Sequence, residues 1–276
     1  MISAAALAGL ISRPGLLVVD CRFELTDTSR GRADYLAGHI PGAVYAHLDE
    51  QLSAPRTSST GRHPLPSPDG FARTLGEWGW TPDTLVVAYD NGTGSTASRL
   101  WWMLRAIGHT KVQVLDGGLT AWRATGHPVE TRLPSIQPTR VDVLPFKGVV
   151  DSESIVTGVA QNAITLIDAR AADRFAGQNE TLDPVAGHVP GSVNHPFSRN
   201  LGSDGHFLGA AELRDRWQPI LAAAAGKPLV AMCGSGVTAC HNLLALDLIG
   251  RTGQLYAGSY SEWITNPARP VVTGAA

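Results

Sequence analysis

The residues best suited to chemistry lie in the run Leu229-Val230-Ala231-Met232-Cys233-Gly234-Ser235-Gly236-Val237-Thr238-Ala239. An apolar stretch of strand character ends at a cysteine, and a short loop with two glycines follows. His241 to Ile249 then carries Leu243, Leu244, Leu246 and Leu248 at the apolar positions of a helix. A cysteine at a strand end, wrapped by a loop that feeds a helix N-terminus, sits where several backbone N–H groups can point at one sulfur. Those dipoles favour the thiolate. Gly234 and Gly236 permit the backbone angles that a tight cradle of amides needs. A lone cysteine in a strand is ordinarily just a small buried residue. The Gly-x-Gly directly after this one points instead to a nucleophile.

Two enzyme classes place a cysteine this way. Phosphotyrosine-type phosphatases use Cys-x5-Arg, in which the arginine grips a phosphate dianion with a bidentate fork. Here the sixth residue after Cys233 is Ala239, so that reading fails. The other class is the rhodanese-like sulfurtransferases, which carry a sulfane sulfur on the cysteine. Cys233-Gly234-Ser235-Gly236-Val237-Thr238-Ala239 resembles the active-site loop of the family's 3-mercaptopyruvate branch. In the thiosulfate branch, basic residues usually fill the two positions after the cysteine, where this chain has Gly234 and Ser235.

The elements that must position this loop come from a duplicated chain. Leu17-Val18-Val19-Asp20-Cys21-Arg22 recurs as Leu166-Ile167-Asp168-Ala169-Arg170, and Gly38-His39-Ile40-Pro41-Gly42 recurs as Gly187-His188-Val189-Pro190-Gly191. Leu85 to Asp90 matches Pro228 to Cys233, and Val114 to Trp122 matches Leu255 to Trp263. Four blocks in the same order mean two copies of one domain. Each copy alternates short apolar strands with helical stretches such as Ser98 to Ile107, which predicts an α/β fold with a mostly parallel sheet flanked by helices. Ser3 is placed to cap a short helix through Ile11, and Leu16 to Asp20 reads as the first strand. Thr131 to Lys147 holds Pro134, Pro138 and Pro145 with little periodicity and reads as a surface linker. The expected division is residues 1–132, a linker over 133–147, and 148–276. The resemblance to the tandem rhodanese-like fold thus spans nearly the whole chain. The first copy has Asp90 where the second has Cys233, and an aspartate cannot carry sulfur; the resemblance implies a silent first domain and an active site in a cleft between the two.

Composition sets limits. The chain has 276 residues, 43% hydrophobic and 17% charged, as expected of a globular protein with a real core. A formal net charge of −2 gives no reason to expect nucleic acid or an anionic membrane surface as partner. Three cysteines without a spacing pattern make neither a disulfide framework nor a zinc site, which favours a reducing compartment. The alanine-rich start lacks a basic n-region, and no apolar run reaches a membrane span, so the chain reads as cytoplasmic. There is no Gly-x-Gly-x-x-Gly after a strand and no Walker loop, so no cofactor is expected, and no metal. His39 and His188, each in a Gly-His-x-Pro-Gly turn, read as structural imidazoles satisfied by backbone. Cys21 and Cys240 read as core thiols.

The resemblance supplies the rest of the site. It implies a small donor with a carboxylate and an α-keto group, held by Arg174, whose fork suits a carboxylate. The lesser alternative is a surface helix arginine paired with Asp173 or Asp168. The branch often has a second arginine a few residues later, yet Gly177 to Val185 contains none. Arg170 is expected to brace the sheet end. The branch also resembles a serine-protease arrangement: Ser235 hydrogen-bonded to His63, with Asp49 fixing the His63 tautomer. From spacing alone, His63 could merely cap a proline-rich loop.

Read together, Cys233 attacks the donor sulfur, and the amides of Gly234, Gly236, Val237 and Thr238 hold the resulting persulfide and substrate. The expected activity is sulfur transfer from 3-mercaptopyruvate to a thiol, a thioredoxin-like protein or cyanide, by a monomer that builds its own cleft. Two other readings stay open. Thiosulfate could be the donor, although a dianion would be served by cations that Gly234 and Ser235 do not supply. The chain could also be a non-catalytic binding module of the same fold, against which the intact Cys233 loop argues.

Overall fold

The structure, a computed structural model, describes residues 1–274. It resolves into two compact units. The first comprises Met1–Ala54, Leu65–Lys147 and Ser203–Phe207. The second holds Pro55–Pro64, Gly148–Gly202 and the chain from Leu208 onward. Each half of the sequence therefore lends a short arm to the other half's unit.

In the first unit, β1 (Leu16–Asp20), β2 (Val44–Tyr45), β3 (Leu85–Tyr89) and β4 (Val112–Val114) form a sheet of order β2-β1-β3-β4. All of its pairings are parallel, with Val19 opposite Ala88. Parallel neighbours need crossover connections, supplied here by α2 (Arg30–Ala37), α3 (Pro68–Glu77) and α4 (Ala97–Ala106), while α1 (Ala4–Ala8) precedes β1 and α5 (Gly118–Ala124) follows β4. Helices on both faces bury the strands from both sides, which is why β1 and β3 read as near-continuous apolar runs rather than alternating ones.

The second unit repeats this plan. Its strands β5 (Thr165–Asp168), β6 (Val193–Asn194), β7 (Leu229–Met232) and β8 (Gln254–Leu255) lie in the order β6-β5-β7-β8, all parallel, with Ile167 opposite Ala231. They are joined through α7 (Ala172–Phe175), a 3₁₀ turn at Phe197–Asn200, α8 (Ala210–Ala224) and α9 (Thr238–Leu248), while α6 (Ser152–Ala160) precedes β5 and α10 (Ser259–Trp263) follows β8. In both sheets the strand that delivers the special loop, β3 or β7, is an inner strand. Loops at the carboxyl ends of inner strands are where open parallel sheets bind ligands.

The cores match as well. Val18, Ile40, Val87, Tyr89, Leu119 and Trp122 cluster in the first unit, and Leu166, Val189, Val230, Met232, Tyr260 and Trp263 in the second. The tryptophan that recurs in both copies is tied down in the same way: Trp122 Nε1 donates to the Pro128 carbonyl at 2.8 Å and Trp263 Nε1 to that of Pro270 at 2.9 Å. The histidines of the paired turns are also satisfied by backbone. His39 Nδ1 lies 2.7 Å from the Tyr35 carbonyl, and His188 Nδ1 lies 2.8 Å from that of Phe175.

Two helix boundaries differ from expectation. The Ser3 Oγ cap forms, accepting from the Ala6 N–H at 3.2 Å, but the helix ends at Ala8 because Gly9 closes it. The helix after the cysteine begins at Thr238, three residues before the apolar pattern starts, directly after the Gly-x-Gly. The 133–147 stretch has no regular structure and counts within the first unit, where Phe146 packs near Phe71 and Trp102. Among the described residues, no helix is long and apolar enough to cross a membrane.

Candidate active site

Cys233 follows the last residue of β7 and is 2% exposed. Its Sγ accepts hydrogen bonds from the backbone N–H groups of Gly236 at 3.2 Å and Ser235 at 3.4 Å. The loop folds this way because Gly236 adopts φ +77°, and a Cβ there would run into the Ala257 carbonyl. The start of α10 grips the loop from behind. Cys233 N–H donates to Ser259 Oγ at 3.0 Å, while the Cys233 and Gly234 carbonyls accept from Tyr260 and Ser261 N–H at 3.0 and 2.9 Å. Ser259 holds a left-handed φ of 54°, unusual for a residue with a side chain, and its hydroxyl donates onward to the Tyr256 carbonyl. Of the amides expected to cradle the sulfur, Gly236 does so and Ser235 joins it. Gly234, Val237 and Thr238 line the loop without a hydrogen bond to Sγ. No side chain caps α9 at Val237.

Ser235, 8% exposed, places its Oγ 2.8 Å from Nδ1 of His63, itself 5% exposed. The histidine arrives on the 55–64 arm, which the second unit holds by an Arg62 N–H bond to Ser261 Oγ at 3.0 Å. Asp49 belongs to the first unit, in the turn after β2, where its own N–H donates to His47 Nδ1 at 3.2 Å. Burial pushes its carboxyl above the usual range, against the opposing pull of His47.

Arg174 is held otherwise than its neighbours in sequence suggest. Asp173 accepts only its backbone N–H. Its guanidinium is bound by Glu180, through Nε and Nη2 at 2.8–3.2 Å, and by Asp183 Oδ2 at 3.2 Å. Burial pushes the Glu180 carboxyl up, but the Arg174 and backbone bonds outweigh it and hold the group below its ordinary range. Arg170 does brace the sheet end. It forks onto Asp168, donates to the Gly187 carbonyl at 2.8 Å and lies over the Tyr260 ring at 3.9 Å. Arg22, Asp20 and Gly38 repeat that arrangement in the first unit.

Gly234 and Ser235 supply no cation, but the fold brings guanidiniums beside Gly234 from elsewhere in the chain. Arg62 reaches the loop from the arm, its Nη1 paired with Asp183 Oδ1. A Cβ built on Gly234 would lie 2.6 Å from Arg62 Nη2 and 3.8 Å from both Nη1 and Nη2 of Arg174. Glycine at 234 is thus the space into which two guanidiniums fit. Sequence reasoning missed Arg62, Glu180 and Asp183. The only signal for Arg62 was its position next to His63; nothing in the spacing marked the two acids.

The first unit shows what became of the same cradle without a thiol. Asp90 inserts its own carboxylate, accepting from the N–H groups of Gly92, Gly94, Thr96 and Ala97 at 2.9–3.4 Å. The loop still binds an anion, but the anion is built in. The other two cysteines are buried, and among the described residues neither is in a disulfide. Burial, with Asp20 and Asp90 nearby, raises the Cys21 thiol well above its ordinary value, and Cys240 Sγ donates to the Gly236 carbonyl at 3.3 Å.

A buried thiol facing two amides, a serine–histidine pair and two guanidiniums beside one glycine make an arrangement suited to nucleophilic sulfur chemistry on a small anion. The relatives agree. A rhodanese-like domain matches residues 3–125 and again 153–266. Over 99% of its length the chain is 48% identical to a Pseudomonas aeruginosa protein named "Probable 3-mercaptopyruvate sulfurtransferase", covering 98% of it. It is 37% identical to the thiosulfate sulfurtransferase of Bos taurus, covering 91% of this chain and 85% of that one. The crystal structure of SseA, a 3-mercaptopyruvate sulfotransferase from Escherichia coli, superposes with a TM-score of 0.83 at 32% identity, covering 95% of this chain and 99% of SseA. With the domain matched in both halves and full-length relatives of one chemistry, the chain belongs to the rhodanese-like sulfurtransferase family.

Proposed function

We propose that the protein moves a sulfane sulfur from 3-mercaptopyruvate, through a persulfide on Cys233, to a thiol or cyanide, releasing pyruvate. The observation that carries this reading is the 2.8 Å contact between Ser235 Oγ and His63 Nδ1, two residues along from a thiol that already faces two amides. Thiosulfate gives up its sulfur without needing a proton; mercaptopyruvate leaves as an enolate and needs one. A hydroxyl–imidazole pair beside the nucleophile suits the second donor.

Cys233 thiolate attacks the sulfur of the donor. The S–S bond forms, the C–S bond breaks, and its electron pair passes into the pyruvate enolate. Ser235 and His63 supply the proton that converts C3 of the enolate to the methyl of pyruvate. The persulfide then sits against the Ser235 and Gly236 amides, which serve its charge as fixed dipoles. An acceptor thiolate attacks the outer sulfur, forms a new persulfide and returns Cys233 as thiolate. Asp49 enters as the residue that fixes the His63 tautomer on the resemblance alone, and Arg174 binds the donor carboxylate. Three buried thiols, none in a disulfide among the described residues, suit a reducing compartment and so a cytoplasmic location.

Steady-state turnover of 3-mercaptopyruvate against thiosulfate, in wild type and in Ser235→Ala, tests the reading. Mercaptopyruvate should be preferred, and Ser235→Ala should cut that preference by about 10²-fold, the lower end of what general acid–base catalysis contributes. Cys233→Ser should abolish transfer from both donors. Equal use of thiosulfate by the wild type sinks the assignment of the donor.

A further inference from the structure

We infer that Ser261 is a positioning residue for the proton transfer, setting the register between the loop that carries Ser235 and the arm that carries His63; this rests on the reading of that pair above. Ser261 lies within α10 and is 5% exposed. Its two polar groups point to the two partners. The backbone N–H donates to the Gly234 carbonyl at 2.9 Å, one residue before Ser235. The side-chain Oγ accepts from the Arg62 N–H at 3.0 Å, one residue before His63. Gly61 lies flush on the same turn, where a Cβ would run into the Gly258 carbonyl. The 2.8 Å contact between Ser235 Oγ and His63 Nδ1 thus closes a ring whose other side is Ser261. A hydrogen bond between side chains on two separate segments keeps one geometry only when the segments themselves are held in register.

The duplicated chain supplies its own comparison. Thr120 stands two residues before Trp122, as Ser261 stands two before Trp263. The backbone contact is shared: Thr120 N–H donates at 3.1 Å to the carbonyl of Asn91, the residue after Asp90. The hydroxyl contact is not. Thr120 Oγ1 turns back and donates to that same Asn91 carbonyl at 2.6 Å. The arm of the first unit is held by a carboxylate instead, Asp116 Oδ1 accepting from the Phe207 N–H at 2.9 Å. Support of the loop therefore runs through the backbone in both copies. Of the two hydroxyls, the one that reaches an arm belongs to the unit in which that arm brings an imidazole to a loop serine.

The test compares wild type, Ser261→Ala, Ser261→Thr, Ser235→Ala and the Ser235→Ala/Ser261→Ala double variant as full chains, with 3-mercaptopyruvate and with thiosulfate. Ser261→Ala keeps the backbone hold on Gly234 and removes only the hold on the arm. It should lower kcat with mercaptopyruvate about tenfold, since a misplacement of roughly 1 Å can cost up to about 10²-fold. KM should change less than kcat, because the proton is needed only as the C–S bond breaks. Thiosulfate turnover should fall by a smaller factor, and Ser261→Thr, which keeps the hydroxyl, should recover most of the mercaptopyruvate loss. In the Ser235→Ala background, Ser261→Ala should cost nothing further, as for residues that act as one unit. An equal loss with both donors, or a full extra loss in the double variant, overturns the inference. A Ser261→Ala chain that fails to fold marks the hydroxyl as structural and overturns it too. If Ser235→Ala turns over mercaptopyruvate as fast as wild type, the reading of the Ser235–His63 pair fails and takes the inference with it. A slow Ser235→Ala beside an unimpaired Ser261→Ala sinks the inference alone.

Discussion

Gly236 shows how much a single residue carries. Its amide is one of the two that meet Cys233 Sγ, its φ lies at +77°, and its missing Cβ makes room for the Ala257 carbonyl. Gly236→Ala combines left-handed strain with a clash against backbone, which cannot swing aside as a side chain can. We expect a loss of about 2–4 kcal/mol, and a fall in thermal midpoint of several degrees. Sulfur transfer should fall further than stability does, because the shifted amide no longer meets the sulfur. A folded Gly236→Ala chain with wild-type turnover would contradict the cradle. The contacts that Cys233, Ser235 and Gly236 make lie within seven consecutive residues whose types already pointed to them. Glu180 and Asp183 were not, because an acid that positions an arginine is chosen by tertiary proximity and leaves no periodic trace.

At the scale of elements, α9 depends on a buried polar knot beneath it. Asn200, in the 3₁₀ turn, reaches His195, His241, Asn242 and Trp217 of α8 at 2.8–3.2 Å. Burial holds the His195 imidazole neutral, pushing it down to about 4, with the Asn200 bond opposing only in part. The sign follows from linkage: between an unfolded value near 6.5 and the folded one, only the unfolded chain takes up the proton. Stability from this group is complete above about pH 6.5 and is lost as pH falls toward 4. Urea unfolding at pH 7 and pH 5 should differ by about 2 kcal/mol on this account. His195→Gln should flatten that difference, and an unaltered slope would remove His195 from the explanation. The element pattern itself was readable, since parallel strands buried on both faces announce themselves as apolar runs. The start of α9 was not, because its first turn, Thr238-Ala239-Cys240, is specified by the loop it feeds rather than by an amphipathic stripe.

The whole molecule adds what neither copy shows alone. Four repeated blocks made the two-domain plan visible in the sequence, and both sheets follow it strand for strand. The repeats gave no hint of the reciprocal arms, since those lie in the non-repeated stretches 55–64 and 203–207. A fragment of residues 148–276 keeps Cys233 and its amides but lacks Arg62 and His63. It should use mercaptopyruvate at least about 10²-fold more slowly than the full chain, the loss expected when an acid–base group is removed. Full activity in the fragment would show the arm to be dispensable.

The arms also bear on ancestry. A duplicated gene ordinarily leaves two modules that selection can shuffle, lose or recombine separately. Here Ser235 of the second half meets an imidazole encoded upstream of residue 133, within the half that has Asp90 where the other has Cys233. On the proposed chemistry this contact ties the two copies to one fate: deleting the first would strip Ser235 of His63, and grafting in a foreign one would succeed only if the borrowed ten residues came along.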